Sequence, residues 1–179
     1  MKYPLPIRIL HWLMAVMVLF MIFFGWRLAG LPDETPGLDQ WFGYHMEFGQ
    51  LIFLLVALRL ALRLKAGAAI PALPEKLQAW EKKAAWYSHR AIYSLLFLVP
   101  TAGFVMASTD LKEHHVVPFF GFKWPQILPQ SEVVSDIAHG VHKGAAYTLL
   151  ALVLVHAAGA LKHRFIDRDK DVDVLSRML

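Results

Sequence analysis

Three long apolar segments without charged residues constrain this chain more than any other feature. Residues 9–26, 91–109 and 144–161 contain 18, 19 and 18 consecutive residues that are neither Asp, Glu, Lys nor Arg. About 20 such residues in a helix cross the hydrocarbon core of a bilayer. The whole chain is 57% hydrophobic and only 18% charged, which argues against an ordinary soluble domain. The sequence therefore predicts an integral membrane protein.

A fourth span is less regular. The uncharged stretch 48–58 has only 11 residues, but the apolar pattern extends over 41–64 and is interrupted by His45, Glu47, Arg59 and Arg63. Placing polar groups inside a membrane span costs free energy, so their presence there usually indicates a functional role. We predict an all-α fold: an integral membrane four-helix bundle, one domain over residues 1–179, with spans at about 8–28, 41–64, 87–109 and 138–163.

The basic residues predict the orientation. Fourteen of the 18 Lys and Arg residues lie on the side that carries the two termini and the second connection, and the four others are Arg27, Lys112, Lys123 and Lys143. By the positive-inside rule both termini are cytoplasmic, which for a bacterial protein means the inner (cytoplasmic) membrane. Because this topology accounts for the pI of about 9.4, we expect membrane lipid and no nucleic acid as a partner.

Two connections are rich in aromatic residues. Residues 75–87 place Trp80 and Trp86 among lysines, which predicts an interfacial amphipathic helix. The outer connection, residues 110–136, contains a group of four aromatic residues that we expect to form a lid at the level of the lipid headgroups. They are Phe119, Phe120, Phe122 and Trp124.

Four histidines are placed to hold two metal centres. His142 and His156 are 14 residues apart in the last span, which is about 21 Å along one helix face. In the predicted orientation His11 matches the depth of His156 near the cytoplasmic side, and His45 matches that of His142 near the outer side. For any single histidine, the alternative to binding a metal is packing inside the bundle with a hydrogen bond to a neighbouring group. Two depth-matched pairs predict two bis-histidine haems, with zinc or copper as the weaker interpretation.

The absence of cysteine defines the type of haem. With no cysteine in the chain, there is no thiolate ligand and no covalent attachment through a Cys-x-x-Cys-His motif. Both cofactors are therefore predicted to be haem b.

Other histidines have competing interpretations. His139 could replace His142 as the outer ligand, but it drifts off the ligand face. His89, at the start of the third span, is a propionate partner, a donor to another side chain or simply interfacial. His163 lies seven residues beyond His156, where it binds haem or quinone or merely reaches the interface.

Several motifs of this sequence resemble those of a known family. The chain is similar to the bacterial cytochromes b561, dihaem four-helix membrane proteins related to the cytochrome subunits of nickel hydrogenases. The matching pieces run in order along nearly the whole chain: His11-Trp12, His45-x3-Gly49, Arg59-Leu-x-Leu-Arg63-Leu-Lys65, His89-x3-Tyr93-x-Leu-Leu-Phe-x2-Pro100-x2-Gly103 and His142-x13-His156-Ala-Ala.

The resemblance has functional implications. It implies that His11 and His156 share one haem and His45 and His142 the other, in agreement with their depths. It also implies an oxidoreductase that oxidises superoxide at the outer face and reduces ubiquinone in the membrane. The alternative is a passive cytochrome partner that exchanges electrons between the quinone pool and a separate periplasmic redox protein. A proton-coupled transporter, which would be colourless, is a third class.

Further residues are candidates for the surroundings of these cofactors. Gly49, one turn after His45, would let a porphyrin approach the backbone, with close helix packing as the alternative. Arg59 and Arg63 lie at the depth of the inner haem and are candidate propionate partners, or anchors at the membrane surface. For the anion superoxide, the candidate steering residues are Lys112, Lys123, Lys143, His114 and His115, although adjacent loop histidines are by default solvated.

A quinone needs a hydrogen-bond donor at the interface and a source of protons. His163, Lys162 and Arg164, at the inner end of the fourth span, supply both, so we place the candidate quinone site there. A competing location lies at the outer end, under the aromatic lid.

Overall fold

Four long helices make up most of the molecule. The computed structural model describes residues 1–111, 117–167, 169 and 171–179. Helix α1 is Leu5–Leu28, α2 is Leu38–Ala66, α3 is Ala79–Thr109 and α4 is Glu132–Leu161. Short turns of 3-10 helix cover Gly67–Ala69 and Leu175–Arg177, and α4 continues into a π-helical turn, Lys162–Ile166.

Residues 75–87, predicted as an interfacial amphipathic helix, are helical only from Ala79, and there they form the first turns of α3. A capping box between Gln78 and Glu81 starts α3 at Ala79, and the helix then runs unbroken through Pro100 to Thr109. Its 31 residues make it about 46 Å long, which exceeds the roughly 30 Å core of a bilayer. The first turns of α3 therefore project beyond the apolar part of the molecule.

The prediction of a purely α-helical chain misses one small element. Strand β1, Pro118–Phe119, pairs antiparallel with β2, Phe122–Lys123. Phe120 and Gly121 connect the strands with positive φ angles of 46° and 87°, a conformation typical of tight hairpin turns. This hairpin lies within the segment predicted as an aromatic lid.

Side chains from all four helices meet in one core. Its buried members are Met14, Val18, Met21, Ile52, Val56, Leu96 and Leu149. Many other large apolar side chains point outwards, including Val16, Phe20 and Val155, which are 68%, 58% and 65% exposed. Large outward-facing apolar surfaces of this kind need a non-aqueous environment.

Three helices among the described residues are long and apolar enough to cross a membrane. They are α1, α3 and α4 with its π-helical turn, over Leu5–Leu28, Ala79–Thr109 and Glu132–Ile166. Helix α2, whose apolar stretch is interrupted by Glu47, Arg59 and Arg63, is not one of them, so its passage through the membrane stays a prediction.

Both termini lie at one end of the molecule, which we call the inner end. The backbone N–H of Tyr3 donates to the carbonyl of Arg177 at 3.0 Å, and the indole N–H of Trp12 donates to the carbonyl of Met178 at 2.8 Å. Arg177 in turn donates to the carbonyl of Ala72 at 2.6 Å. The C-terminal segment 171–179 thereby joins α1 to the connection between α2 and α3. The hairpin lies at the opposite, outer end.

Candidate functional site

Two histidines from different helices face each other towards the outer end. The rings of His45 on α2 and His142 on α4 have centroids 6.1 Å apart and planes inclined by 79°. The sequence placed these side chains at one depth, and the structure brings them together.

A second pair lies towards the inner end. The rings of His11 on α1 and His156 on α4 have centroids 6.3 Å apart and planes inclined by 75°. The core residues of α1 lie between the two pairs along the helix, so the pairs occupy different levels of the molecule.

Both separations suit a metal ion between two imidazoles. A metal–nitrogen bond of about 2.0–2.1 Å, with about 1.1 Å from each nitrogen to its ring centre, places two trans imidazole centroids roughly 6.3 Å apart. The residues present therefore fit one haem iron per pair, although edge-to-face packing of aromatic rings covers the same range of distances. Haem ligation by these four residues stays a prediction.

Each ring of the outer pair rests against a glycine. A Cβ atom added to Gly25 would lie 2.8 Å from Cε1 of His45, and one added to Gly103 would lie 3.0 Å from Nδ1 of His142. The second ring is also fixed by a hydrogen bond from its Nδ1 to the carbonyl of Val99, at 2.8 Å. Such a bond leaves Nε2 for a metal and sets the orientation of the ring.

The ring of His45 has a buried nitrogen available for ligation. Its Nδ1 is buried and has no hydrogen-bond partner among the described residues. Buried polar atoms almost always have partners. The ring is therefore in a setting that a bound metal would complete.

His89 makes the inner group a cluster of three histidines. Its ring on α3 lies 5.1 Å from that of His156, which is shorter than the separation of two trans ligands. Of the interpretations that the sequence left open, this contact favours a role beside the pair over a purely interfacial one. His139, the alternative outer ligand, is exposed on α4.

Two arginines of α2, Arg59 and Arg63, lie near the inner cluster. Arg59 donates from Nη1 to the hydroxyl of Tyr93 at 2.6 Å, while its Nε is buried without a partner among the described residues. Arg63 lies over the ring of Tyr3 at 6.0 Å. Arg8, which the sequence analysis missed, also has a buried Nε without a described partner. The sequence pointed to Arg8 only through its position three residues before His11, on the same helix face.

Gly49 is open on the side where a side chain would project. A Cβ atom added there would meet no atom within 4 Å apart from its own helix and chain neighbours. Close helix packing, one of the two interpretations of this glycine, is therefore not observed.

The inner end contains a charged cleft of about 460 Å³, formed by the connection before α3, the start of α3, the end of α4 and the C-terminal segment. Its charged lining residues are Lys76, Glu81, Lys162, Asp167 and Asp169, and His163 also lines it. The cleft brings together two of the three predicted quinone residues, Lys162 and His163. The third, Arg164, instead donates to Asp173 at 2.6 Å.

The sequence analysis missed the acidic residues of this cleft, two of which bind Lys162. Lys162 Nζ lies 3.0 Å from Oε1 of Glu81 and 2.9 Å from Oδ2 of Asp167. Nδ1 of His163 lies 2.8 Å from the same Asp167 oxygen. Two hydrogen bonds hold the pKa of Asp167 below its usual value, and the bond from Lys162 contributes more than the bond from His163. Glu81 is 81 residues from Lys162 in the sequence, whereas Asp167 is only five residues away. The sequence alone could therefore have pointed to Asp167 but not to Glu81.

The hairpin is attached to α2 by side chains next to His45. Glu47 accepts a hydrogen bond from the backbone N–H of Phe120 at 3.0 Å, and Gln50 donates to the carbonyl of Pro118 at 2.8 Å. Trp124 donates from its indole to Gln50 at 2.7 Å. Three of the candidate steering residues, Lys112, His114 and His115, lie outside the described residues.

Comparison with known proteins identifies related sequences over nearly the whole chain. The sequence model of the family described as "Prokaryotic cytochrome b561" matches residues 2–179. "Cytochrome b561 homolog 2" of Escherichia coli is 31% identical over 172 residues, which cover 94% of this chain and 86% of that protein. "Cytochrome b562" of Cereibacter sphaeroides is 27% identical over 176 residues, 95% of this chain and 90% of that protein.

Proposed function

Because this chain belongs to the prokaryotic cytochrome b561 family of membrane-bound haem b electron-transfer proteins, we propose that it carries electrons across a membrane through two haems. The donor is periplasmic and the acceptor is ubiquinone. The proposal includes one four-helix transmembrane domain over residues 1–179, with both termini in the cytoplasm and the inner membrane as its location.

The two histidine pairs are the observation that carries this proposal. His45 and His142 would hold the outer haem, and His11 and His156 the inner one, since both pairs have the separation of two trans ligands. Held by two histidines each, the haems would supply one-electron oxidation and reduction.

The surroundings of the pairs fit the rest of a haem. Arg59, Arg63 and Arg8 would bind the propionate carboxylates of the inner haem, because guanidinium groups bind carboxylates well and two of them have buried Nε atoms without described partners. Gly49 would admit the outer porphyrin, since no neighbouring helix fills the space beside it.

We place the quinone at the inner cleft, against His163 and Lys162. Both side chains line the cleft, and His163 lies two helical turns from His156, about 10 Å along the helix. Arg164 is not part of this site, because Asp173 binds it elsewhere. The competing location under the hairpin is less favoured, since Trp124, Gln50 and the hairpin backbone already bond to one another there.

The proposed donor is superoxide, with a separate periplasmic redox protein as the alternative. Either would meet the outer end, where Lys123 and Lys143 are exposed. Superoxide as the donor follows from the family resemblance.

The test is stopped-flow absorbance of the purified, haem-loaded protein. Superoxide should reduce the haem, superoxide dismutase should abolish that reduction, and a short-chain ubiquinone should reoxidise the haem. His163→Ala should slow reoxidation and leave reduction unchanged. Reduction that is insensitive to the dismutase, or absent, would exclude superoxide and leave the redox-protein alternative. If reoxidation slows with Trp124→Phe and not with His163→Ala, the quinone site is at the outer end.

A further inference from the structure

The end of α4 is wound differently from the rest of the helix. The backbone N–H of Asp167 donates to the carbonyl of Lys162, five residues earlier, at 3.1 Å, and residues Lys162–Ile166 form a π-helical turn. Turns of this kind are rare, and they occur frequently at functional sites. At the end of this turn the side chain of Asp167 contacts His163, four residues earlier.

The contact with Asp167 determines which nitrogen of His163 faces the cleft. The two hydrogen bonds that lower the pKa of Asp167 keep it a carboxylate at neutral pH, and a carboxylate only accepts hydrogen bonds. His163 must therefore donate from Nδ1, which lies 2.8 Å from Oδ2 of Asp167. Its Nε2 is the nitrogen left for a partner in the cleft.

A second carboxylate approaches the other edge of the same ring. Oε1 of Glu81, on α3, lies 4.0 Å from Nε2 of His163, which is longer than a hydrogen bond. Both side chains are only 11% exposed. Two carboxylates at opposite edges are placed to stabilise the charge of the ring when it holds two protons.

The other charged side chains that line the cleft are paired, as far as the structure describes them. Lys162 bonds to both carboxylates, and across the cleft Lys76 pairs with Asp169 at 3.2 Å. The donor atoms of Glu81, His163 and Asp167 lie within 4.8 Å of one another, a spacing that would suit a metal ion. The ammonium of Lys162, however, already holds that cation position.

We propose that His163 is the proton donor to the quinone and that Asp167 is its positioning residue, holding Nδ1 so that Nε2 faces a quinone oxygen. This inference rests on the proposed quinone site at the inner cleft. Glu81 acts from α3 as the second counter-charge, and Lys162 keeps the two carboxylates in place.

Water supplies the protons that the quinone takes up. Conversion of a quinone to a quinol takes up two electrons, which the proposed electron-transfer path supplies, and two protons. At the quinone oxygen that faces His163, the Nε2–H bond of the charged ring breaks and an O–H bond forms, while the opposite quinone oxygen takes its proton from water. The neutral ring then regains a proton at Nε2 from water at the open mouth of the cleft, while Asp167 remains a carboxylate.

The test compares Asp167→Asn with Asp173→Asn in the full-length, haem-loaded protein. Asp173 is the matched control, because it pairs with Arg164 of the same turn and does not line the cleft. The measurement is reoxidation of reduced haem by a short-chain ubiquinone, as a function of pH and of quinone concentration.

In Asp167→Asn we expect reoxidation at pH 8 to slow about tenfold or more, because the amide accepts the hydrogen bond but carries no charge. The decline of the rate with rising pH should begin at lower pH, and the quinone concentration for half-maximal rate should change little. Glu81→Gln should move the pH profile in the same direction, and Asp173→Asn should stay within about twofold of the wild type.

The outcomes separate the inference from the function on which it rests. If His163→Ala reoxidises normally, the quinone is not at this cleft and both fail. If His163→Ala is slow but Asp167→Asn and Glu81→Gln keep the wild-type rate and pH profile, only the positioning role is overturned. An equal loss in Asp167→Asn and Asp173→Asn, without a shift of the pH profile, would also overturn it, since it would reflect damage to the turn alone.

Discussion

His142 donates a hydrogen bond from Nδ1 to the backbone carbonyl of Val99, at 2.8 Å, and thereby fixes its ring to α3 while facing His45 on α2. Gly103, one turn after Val99, makes this approach possible, because a Cβ atom there would lie 3.0 Å from the bonded nitrogen. Three helices therefore cooperate to orient one pair of rings.

The two glycines beside the outer pair should be sensitive to a single methyl group. We expect Gly25→Ala to displace His45 and to lose the outer haem, since the added Cβ would lie 2.8 Å from a ring atom. Gly103→Ala should tilt His142 and change the electron paramagnetic resonance of the outer haem. The control is Gly140→Ala on α4, where the added atom meets nothing within 4 Å. Spectra identical to the wild type in both test variants would contradict the proposed role of this pair.

The protein should contain two haems b per chain, both low-spin and six-coordinate. A pyridine haemochrome assay measures the number. His142→Ala should lose only the outer haem and His11→Ala only the inner one, because each change leaves the other pair intact. His89→Ala should keep both, since its ring is too near that of His156 to be a trans ligand. One haem in the wild type, or loss of both in either ligand variant, would refute the pairing.

Removing the positive charge of Arg59 should lower the midpoint potential of the inner haem. A nearby positive charge favours the reduced iron, and at about 10 Å with an effective dielectric constant of about 20 it contributes about 1.7 kcal/mol, or on the order of 70 mV. We therefore expect Arg59→Gln to shift one of the two potentials downwards in a spectroelectrochemical titration. Lys65→Gln, at the exposed end of α2, is the control and should shift neither. Unchanged potentials in Arg59→Gln would place the inner haem elsewhere.

Deletion of residues 175–179 should destabilise the inner end selectively. It removes the hydrogen bonds of Met178 with Trp12 and of Arg177 with Tyr3 and Ala72, each worth about 1 kcal/mol. We expect thermal unfolding to begin several degrees lower and the inner haem to be released before the outer one, as followed by haem absorbance. Release of the outer haem first would show that the segment does not support the inner pair.

The sequence alone predicted the features that depend on helix geometry and on solubility in lipid. Uncharged segments of 18 or 19 residues predicted α1, α3 and α4, because a buried backbone in lipid has to form its own hydrogen bonds. The spacing of 14 residues placed His142 and His156 on one face of α4, because an α-helix repeats every 3.6 residues. The predicted bounds differ from the structure at the start of α3, where one helix begins at Ala79, directly after the Gln78–Glu81 capping box, and includes both most of residues 75–87 and the third span.

Only the tertiary structure determined which groups from different helices meet. Glu81 and Asp167 are ordinary acidic residues in the sequence, and they become parts of a site because the start of α3 lies against the end of α4. Gly25 and Gly103 matter because the rings of His45 and His142, which belong to other helices, lie against them. Arg164, next to His163 in sequence, turns towards Asp173 instead. Local periodicity determines the direction of a side chain within its own helix, whereas its partner depends on how distant helices pack, which nearest-neighbour patterns do not encode.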